Sequence, residues 1–268
     1  MRRKRRRDDA APPPHRVTVH ARTGLYVASA SAADGALLDT RSLQKDGTGC
    51  HCTWPAAEEL TDFLLRDSWS PPDRVIEIGS GTGLPGLLIA KRWPSTQVTL
   101  TDYHPFVLSA LRESVARNGL RSNTRVRALD WDAGERLARW PLVIGADLAV
   151  TSRGASSVAR LVRRLLLGEG RRQREADGAG VSGGVFLYAH TERRAIYRHP
   201  ADGSLVRETT DTALEALICA LGTSGGDPRV LFECREVPRA EPDAERGAGE
   251  QPAEDPVRLF AFAATQTG

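Results

Sequence analysis

Nowhere in these 268 residues does an apolar run approach the roughly 20 needed to cross a bilayer. The opening Arg-rich stretch likewise lacks the apolar middle of a secretion signal. Cysteine is scarce: Cys50, Cys52, Cys219 and Cys234 are too few and too irregularly spaced for a disulfide framework. Cys50-His51-Cys52 is half of a metal-binding pattern with no second close pair, so no metal is expected. No serine stands in a nucleophile elbow, and no glycine loop ends in Gly-Lys-Ser/Thr. Those absences set aside hydrolases of that type and P-loop kinases. There are no internal repeats. The expectation is a soluble protein of a reducing compartment with no membrane partner, cytoplasmic, with nuclear import through the basic N-terminal run as a second option.

Charge is concentrated. The formal net charge is +3, yet Arg2 to Arg7 alone contribute six positive charges, leaving 31 basic and 34 acidic side chains elsewhere. Nucleic acid is therefore not an expected partner of the folded body, and only the tail could grip a polyanion. Residues 1–14, charge followed by proline, cannot build a core and read as a disordered tail. Residues 15–268, 40% of whose parent chain is hydrophobic, read as one domain. Within it, 15–73 hold a hairpin and a helix, and 74–268 the core, with polar insertions at 168–184 and 238–256.

"HRVTVHA" and "GLYVASA" alternate around a glycine turn and predict a short N-terminal hairpin. "WPAAEELTDFLLRD" follows, placing Ala57, Leu60, Phe63 and Leu64 on one helical face. From residue 74 strand and helix patterns alternate, with helices from Pro85 to about Trp93, Pro105 to Asn118, and near 156–167 and 209–221. Such alternation predicts an α/β fold, a doubly wound, mostly parallel sheet of seven strands. The segment Pro238 to Pro256 has no apolar helical face, so the last two strands should pair as an antiparallel hairpin. A dinucleotide-binding sheet does not end this way.

"EIGSGTGLPG", residues 77–86, contains Gly81-x-Gly83-x-x-Gly86, a dinucleotide fingerprint. It also contains Glu77-x-Gly79-x-Gly81-x-Gly83, which suits a nucleoside without phosphate. A carboxylate at Glu77 would repel a pyrophosphate but attract the ammonium and sulfonium of S-adenosylmethionine, which makes that the expected cofactor. Gly86 then serves close packing on the sheet. Asp102, at the end of "QVTLTD", can accept from both ribose hydroxyls, or can cap the helix that begins near Pro105. In "ALDWD", Trp131 can stack on adenine while Asp130 or Asp132 accepts from its amine. "GADLAV" closes the fourth strand at the switch point, where Ala146 leaves room for a ligand and Asp147 can orient an acceptor amine or cap the next segment.

Taken in order, "CTWPAAEELTDFLL", "VIEIGSGTGLPGLLIA", "LTDYHPFVLSALRESVARNG", "VRALDWD" and "VIGADLAV" resemble the seven-β-strand, non-SET protein-lysine methyltransferases. The likeness is good over about residues 50–167 and weaker beyond, through "HTERR". It implies a Rossmann-like class I methyltransferase that methylates a lysine of a protein substrate, as relatives do on calmodulin, elongation factors and chaperones. It also implies S-adenosylmethionine held by Trp54, Gly79, Ser80, Gly81, Asp102, Trp131 and Ala146, to which the loop reading adds Glu77 and Gly83. Trp54 by itself reads only as a core residue at a helix entry. Where many relatives carry Asp-x-x-Tyr or a similar aromatic ending, this chain has Asp147-Leu148-Ala149-Val150. The alternatives are an arginine, nucleic-acid or small-amine acceptor, or a module that binds the cofactor without catalysis. A monomer is expected.

Overall fold

Period-two alternation splits the strands between two cores. In a computed structural model, which describes residues 15–29, 52–134, 137–168, 184–194, 196–198, 202–222, 230–238 and 257–266, Val75, Leu142, Ile144 and Leu187 face one apolar cluster. Their neighbours Ile76, Val143, Phe186 and Tyr188 face a second cluster on the other side of the sheet. The N-terminal tail, Cys50, His51 and nearly all of both polar insertions lie outside the described residues.

The hairpin is β1 (Arg16–Val19) and β2 (Tyr26–Ser29), paired antiparallel. Then come α1 (Pro55–Leu64), β3 (Arg74–Glu77), α2 (Leu84–Arg92), β4 (Gln97–Asp102), α3 (Pro105–Arg117), β5 (Thr124–Ala128), β6 (Leu142–Ala146) and α4 (Ser152–Leu167). The rest is β7 (Val185–Thr191), β8 (Ile196–Arg198), β9 (Leu205–Arg207), α5 (Thr212–Gly222), β10 (Val230–Val237) and β11 (Val257–Gln266). Seven strands form one sheet in the order β10-β11-β7-β6-β3-β4-β5. β11 runs antiparallel to both its neighbours, and the other pairings are parallel. This is the doubly wound sheet expected, down to the antiparallel final pair and the N-terminal hairpin.

α1, α2 and α3 cover one face and α4 and α5 the other. α4 shows why: Ala155, Val158, Leu161, Val162 and Leu165 recur at helical spacing and are all fully buried, while Arg153 and Arg160 face out. Each of the Val and Leu side chains contributes about 1.5–3 kcal/mol by leaving water. The hairpin docks by its polar edge. Asn118 of α3 bonds both the amide and the carbonyl of Tyr26, and the Ser114 hydroxyl accepts from the Ala28 amide at 2.8 Å. His20 contacts Glu58 at 2.7 Å and Arg22 pairs with Asp62, which ties the hairpin to α1. Backbone groups that an edge strand would otherwise expose are thereby satisfied.

Some boundaries differ from the pattern reading. α4 starts four residues earlier than expected because the Thr151 hydroxyl accepts from the Gly154 amide at 3.1 Å and caps it. α1 buries Ala56 rather than Ala57, and also Thr61, whose hydroxyl donates to the Ala57 carbonyl at 2.7 Å. α3 is capped by His104, not Asp102, through its ring nitrogen and the Phe106 amide. The short β8–β9 pair was not anticipated.

Candidate active site

Parallel strands leave their carboxyl ends along one edge of the sheet, and all ten candidate residues lie along that edge or in the loops that cross it. The loop after β3 takes left-handed φ at Gly79 (+57°), Gly81 (+52°) and Gly83 (+75°), the conformation that favours glycine. At Gly79 space matters as well. A Cβ there would come within 2.6 Å of Leu148 and 3.1 Å of the Trp131 indole. At Gly81 nothing lies within 4 Å of the corresponding position, so the backbone there faces open space.

Around that opening the polar groups are organised. Asp102, at the end of β4, accepts from the Gly81 amide through Oδ2 (3.2 Å) and from the His104 amide through Oδ1 (3.0 Å). Burial pushes its pKa up, while those amides work against the shift. Ser80 proves to be a fastener: its hydroxyl donates to the Glu77 carbonyl and accepts from the Thr101 amide at 3.0 Å, joining the loop to β4. Glu77 is buried, with Oε2 accepting from the Gly86 amide at 3.2 Å in the first turn of α2. Burial drives its pKa up to about 8, against the lowering effect of that amide. A Cβ on Gly86 would sit 2.4 Å from Leu100 and 2.5 Å from the Glu77 carboxylate, so close packing explains this glycine.

Trp54 corrects the core reading: it is 41% exposed at the N-cap of α1. Its neighbour Thr53 contacts the Thr82 hydroxyl at 3.1 Å, and the Arg193 guanidinium lies 5.8 Å from its ring centroid. Trp131 is half-buried against Gly79. Asp132 is held by Ser157 and Arg160 of α4, whereas Asp130 is exposed and accepts from the Asp132 amide.

Ala146 ends β6. Asp147 follows with φ +52°, the one non-glycine residue with positive φ among the described residues. That conformation costs on the order of 1–2 kcal/mol and marks a position held by its surroundings. Four donors hold it: Oδ1 accepts from the Thr191 amide (2.7 Å) and Arg193 Nη1 (3.1 Å), and Oδ2 from the Thr191 hydroxyl (2.8 Å) and Arg193 Nη2 (3.0 Å). With both oxygens engaged, Asp147 is better built to fix the loop than to take a proton from an amine. Thr191 and Arg193 were missed in the sequence. The signal available was "HTERR", a charged run directly ending a buried strand.

The donor set suits a cationic nucleoside: an open glycine backbone, a carboxylate at the end of β4 and a buried carboxyl at the end of β3. Among the described residues, the loop itself, 79–86, has no Lys or Arg to offer a pyrophosphate.

Comparison with known proteins agrees. The family described as lysine methyltransferase matches residues 33–171. The chain is 30% identical over 132 residues to calmodulin-lysine N-methyltransferase of Arabidopsis thaliana, covering 45% of this chain and 42% of that one. It is 30% identical over 145 residues to the protein-lysine N-methyltransferase EEF2KMT of Mus musculus, covering 48% and 43%. It is also 35% identical over 105 residues to ribosomal RNA small subunit methyltransferase G of Mycolicibacterium smegmatis, covering 39% and 42%. The chain thus spans less than half the length of these relatives.

Proposed function

Because the chain belongs to the lysine methyltransferase family, we propose that it transfers a methyl group from S-adenosylmethionine to a lysine side chain of a protein. The observation that carries this is the placement of Glu77 and Asp102 beside a glycine loop whose Gly81 backbone faces open space at the sheet's carboxyl edge. When bound, the cofactor supplies a sulfonium-activated methyl group. Asp102 is placed to hold the ribose hydroxyls, and Glu77 to balance the cofactor's positive charge. Trp131 and Leu148, packed against Gly79, shape the adenine side. Ala146 and the segment Asp147–Val150 face the acceptor. What the chain must do there is align a neutral amine and exclude water. Asp147 serves this through Thr191 and Arg193, by holding that segment in its left-handed turn.

Titration calorimetry of the pure chain checks the cofactor: S-adenosylmethionine should bind and NAD should not. Methyl transfer from labelled cofactor is then measured on calmodulin, elongation factors, chaperones and whole extract, with mass spectrometry to find the modified lysine. The likeness to a ribosomal RNA methyltransferase motivates a second reading, an RNA acceptor. Against it stands a chain whose basicity outside Arg2–Arg7 is outweighed by acid. Label lost to nuclease but surviving protease would favour RNA.

A further inference from the structure

Three polar side chains in the second core have no part in the chemistry above. Tyr188 and His190, alternate residues of β7, are fully buried, and Asp211 at the start of α5 is nearly so. Hydrogen bonds join them into one chain. The Ala149 amide donates to the Tyr188 hydroxyl oxygen at 3.2 Å, so the hydroxyl proton is free to go to Nδ1 of His190 at 2.8 Å. In the tautomer that accepts at Nδ1, the ring proton sits on Nε2 and is donated to Asp211 Oδ2 at 2.8 Å. Asp211 also accepts the amides of Arg193 (2.6 Å), Ala213 (3.1 Å) and Leu214 (2.9 Å). Arg193 in turn grips Asp147. One carboxylate therefore reaches Asp147 through Arg193 and Ala149 through His190 and Tyr188.

We propose that Tyr188, His190 and Asp211 form a hydrogen-bonded chain that positions the acceptor-side segment Asp147–Val150 for methyl transfer; the inference rests on the methyltransferase reading above. Packing alone does not call for it. Tyr188 already stacks on Phe186 at 5.4 Å, and apolar side chains would fill this face without three polar groups to satisfy. The chain's free end is spent on an amide of the segment in question. That segment walls a pocket of about 170 Å³ that Arg193, Glu208 and Asp211 also line. Burial raises the Tyr188 pKa, which keeps its hydroxyl a donor. Burial also pushes Asp211 up, but the Leu214 and Arg193 amides and the His190 ring outweigh it and hold the carboxylate below its usual range.

The test uses the full chain. Nitrogen NMR of the His190 ring should show a hydrogen-bonded proton on Nε2 and none on Nδ1, and a proton on Nδ1 overturns the order of the chain. In Tyr188→Phe, exchange of the Ala149 amide should quicken at least tenfold. Tritium transfer from S-adenosylmethionine to extract proteins should slow tenfold or more, while the Kd for S-adenosylhomocysteine stays within twofold. His190→Gln keeps a donor for Asp211 but loses the acceptor for Tyr188, and should show a smaller loss of the same kind. Transfer at the wild-type rate in Tyr188→Phe, or a fall in S-adenosylhomocysteine affinity matching the fall in rate, overturns positioning. If both variants fail to fold, the chain is structural and the inference is wrong. A wild-type chain that binds S-adenosylhomocysteine yet transfers nothing overturns the methyltransferase reading, and this one with it.

Discussion

Glu77 is the residue in which stability and ligand binding compete most directly. Its carboxyl has a folded pKa of about 8, raised by burial, whereas an unfolded glutamate titrates near 4.5. Between those values the unfolded chain has released the proton and the folded chain still holds it, so stability should fall as pH rises from about 4.5 to 8 and level off above. Glu77→Gln, which keeps an acceptor for the Gly86 amide, should flatten that part of the Tm–pH curve. A cationic cofactor beside Glu77 favours the ionised form, so binding below pH 8 should release protons, approaching about one per cofactor near pH 6 to 7. Calorimetry in two buffers of different ionisation enthalpy reads that number directly. No proton release in the wild type would mean that Glu77 does not face the cofactor's charge. Asp147 makes a separate prediction. As an organiser its asparagine variant keeps part of the hydrogen bonding, and should lose roughly tenfold in rate rather than the 10²–10⁴ expected on removing a general base.

In the first turn of α2 there is little room at Gly86. Gly86→Ala would gain about 1 kcal/mol of helix propensity. Against that, the new methyl would lie 2.4 Å from Leu100 Cδ2 and 2.5 Å from a Glu77 oxygen, and overpacking of a buried site costs about 1–3 kcal/mol. The clash should win, with a net loss of up to about 2 kcal/mol by urea unfolding and weaker cofactor binding through a displaced Glu77. This end of the site was legible in the sequence because it is local: strand, carboxylate, glycine loop and helix follow one another, and Asp102 comes one strand later. The acceptor side was not. Asp147 depends on Thr191 and Arg193, more than 40 residues away, and Tyr188 and His190 read as ordinary members of a buried strand until Asp211 is set beside them. The start of α4 was hidden for a different reason: Ser152-Arg153-Gly154 carries no apolar period, and only the Thr151 cap reveals a helix there.

At the scale of the whole molecule, sheet order explains where chemistry can happen. β3 lies between β4 and β6, the point at which the winding reverses, so loops from both halves meet over the glycine turn. Residues 1–14, charge followed by proline, cannot build a core, and we propose that 15–268 is the folding unit. Deleting 1–14 removes six basic and two acidic side chains and takes the formal net charge from +3 to −1. Six positive charges packed into so short a stretch bind polyanions by releasing counterions, a contribution that salt abolishes. The shortened chain should therefore elute from heparin at much lower salt than the full chain. Its S-adenosylmethionine affinity should stay within twofold and its Tm within about 2 °C, since surface changes remote from a core move stability by no more than about 0.5 kcal/mol. A Tm loss of more than about 5 °C would correspond to over 1 kcal/mol, and would place part of that tail in the fold.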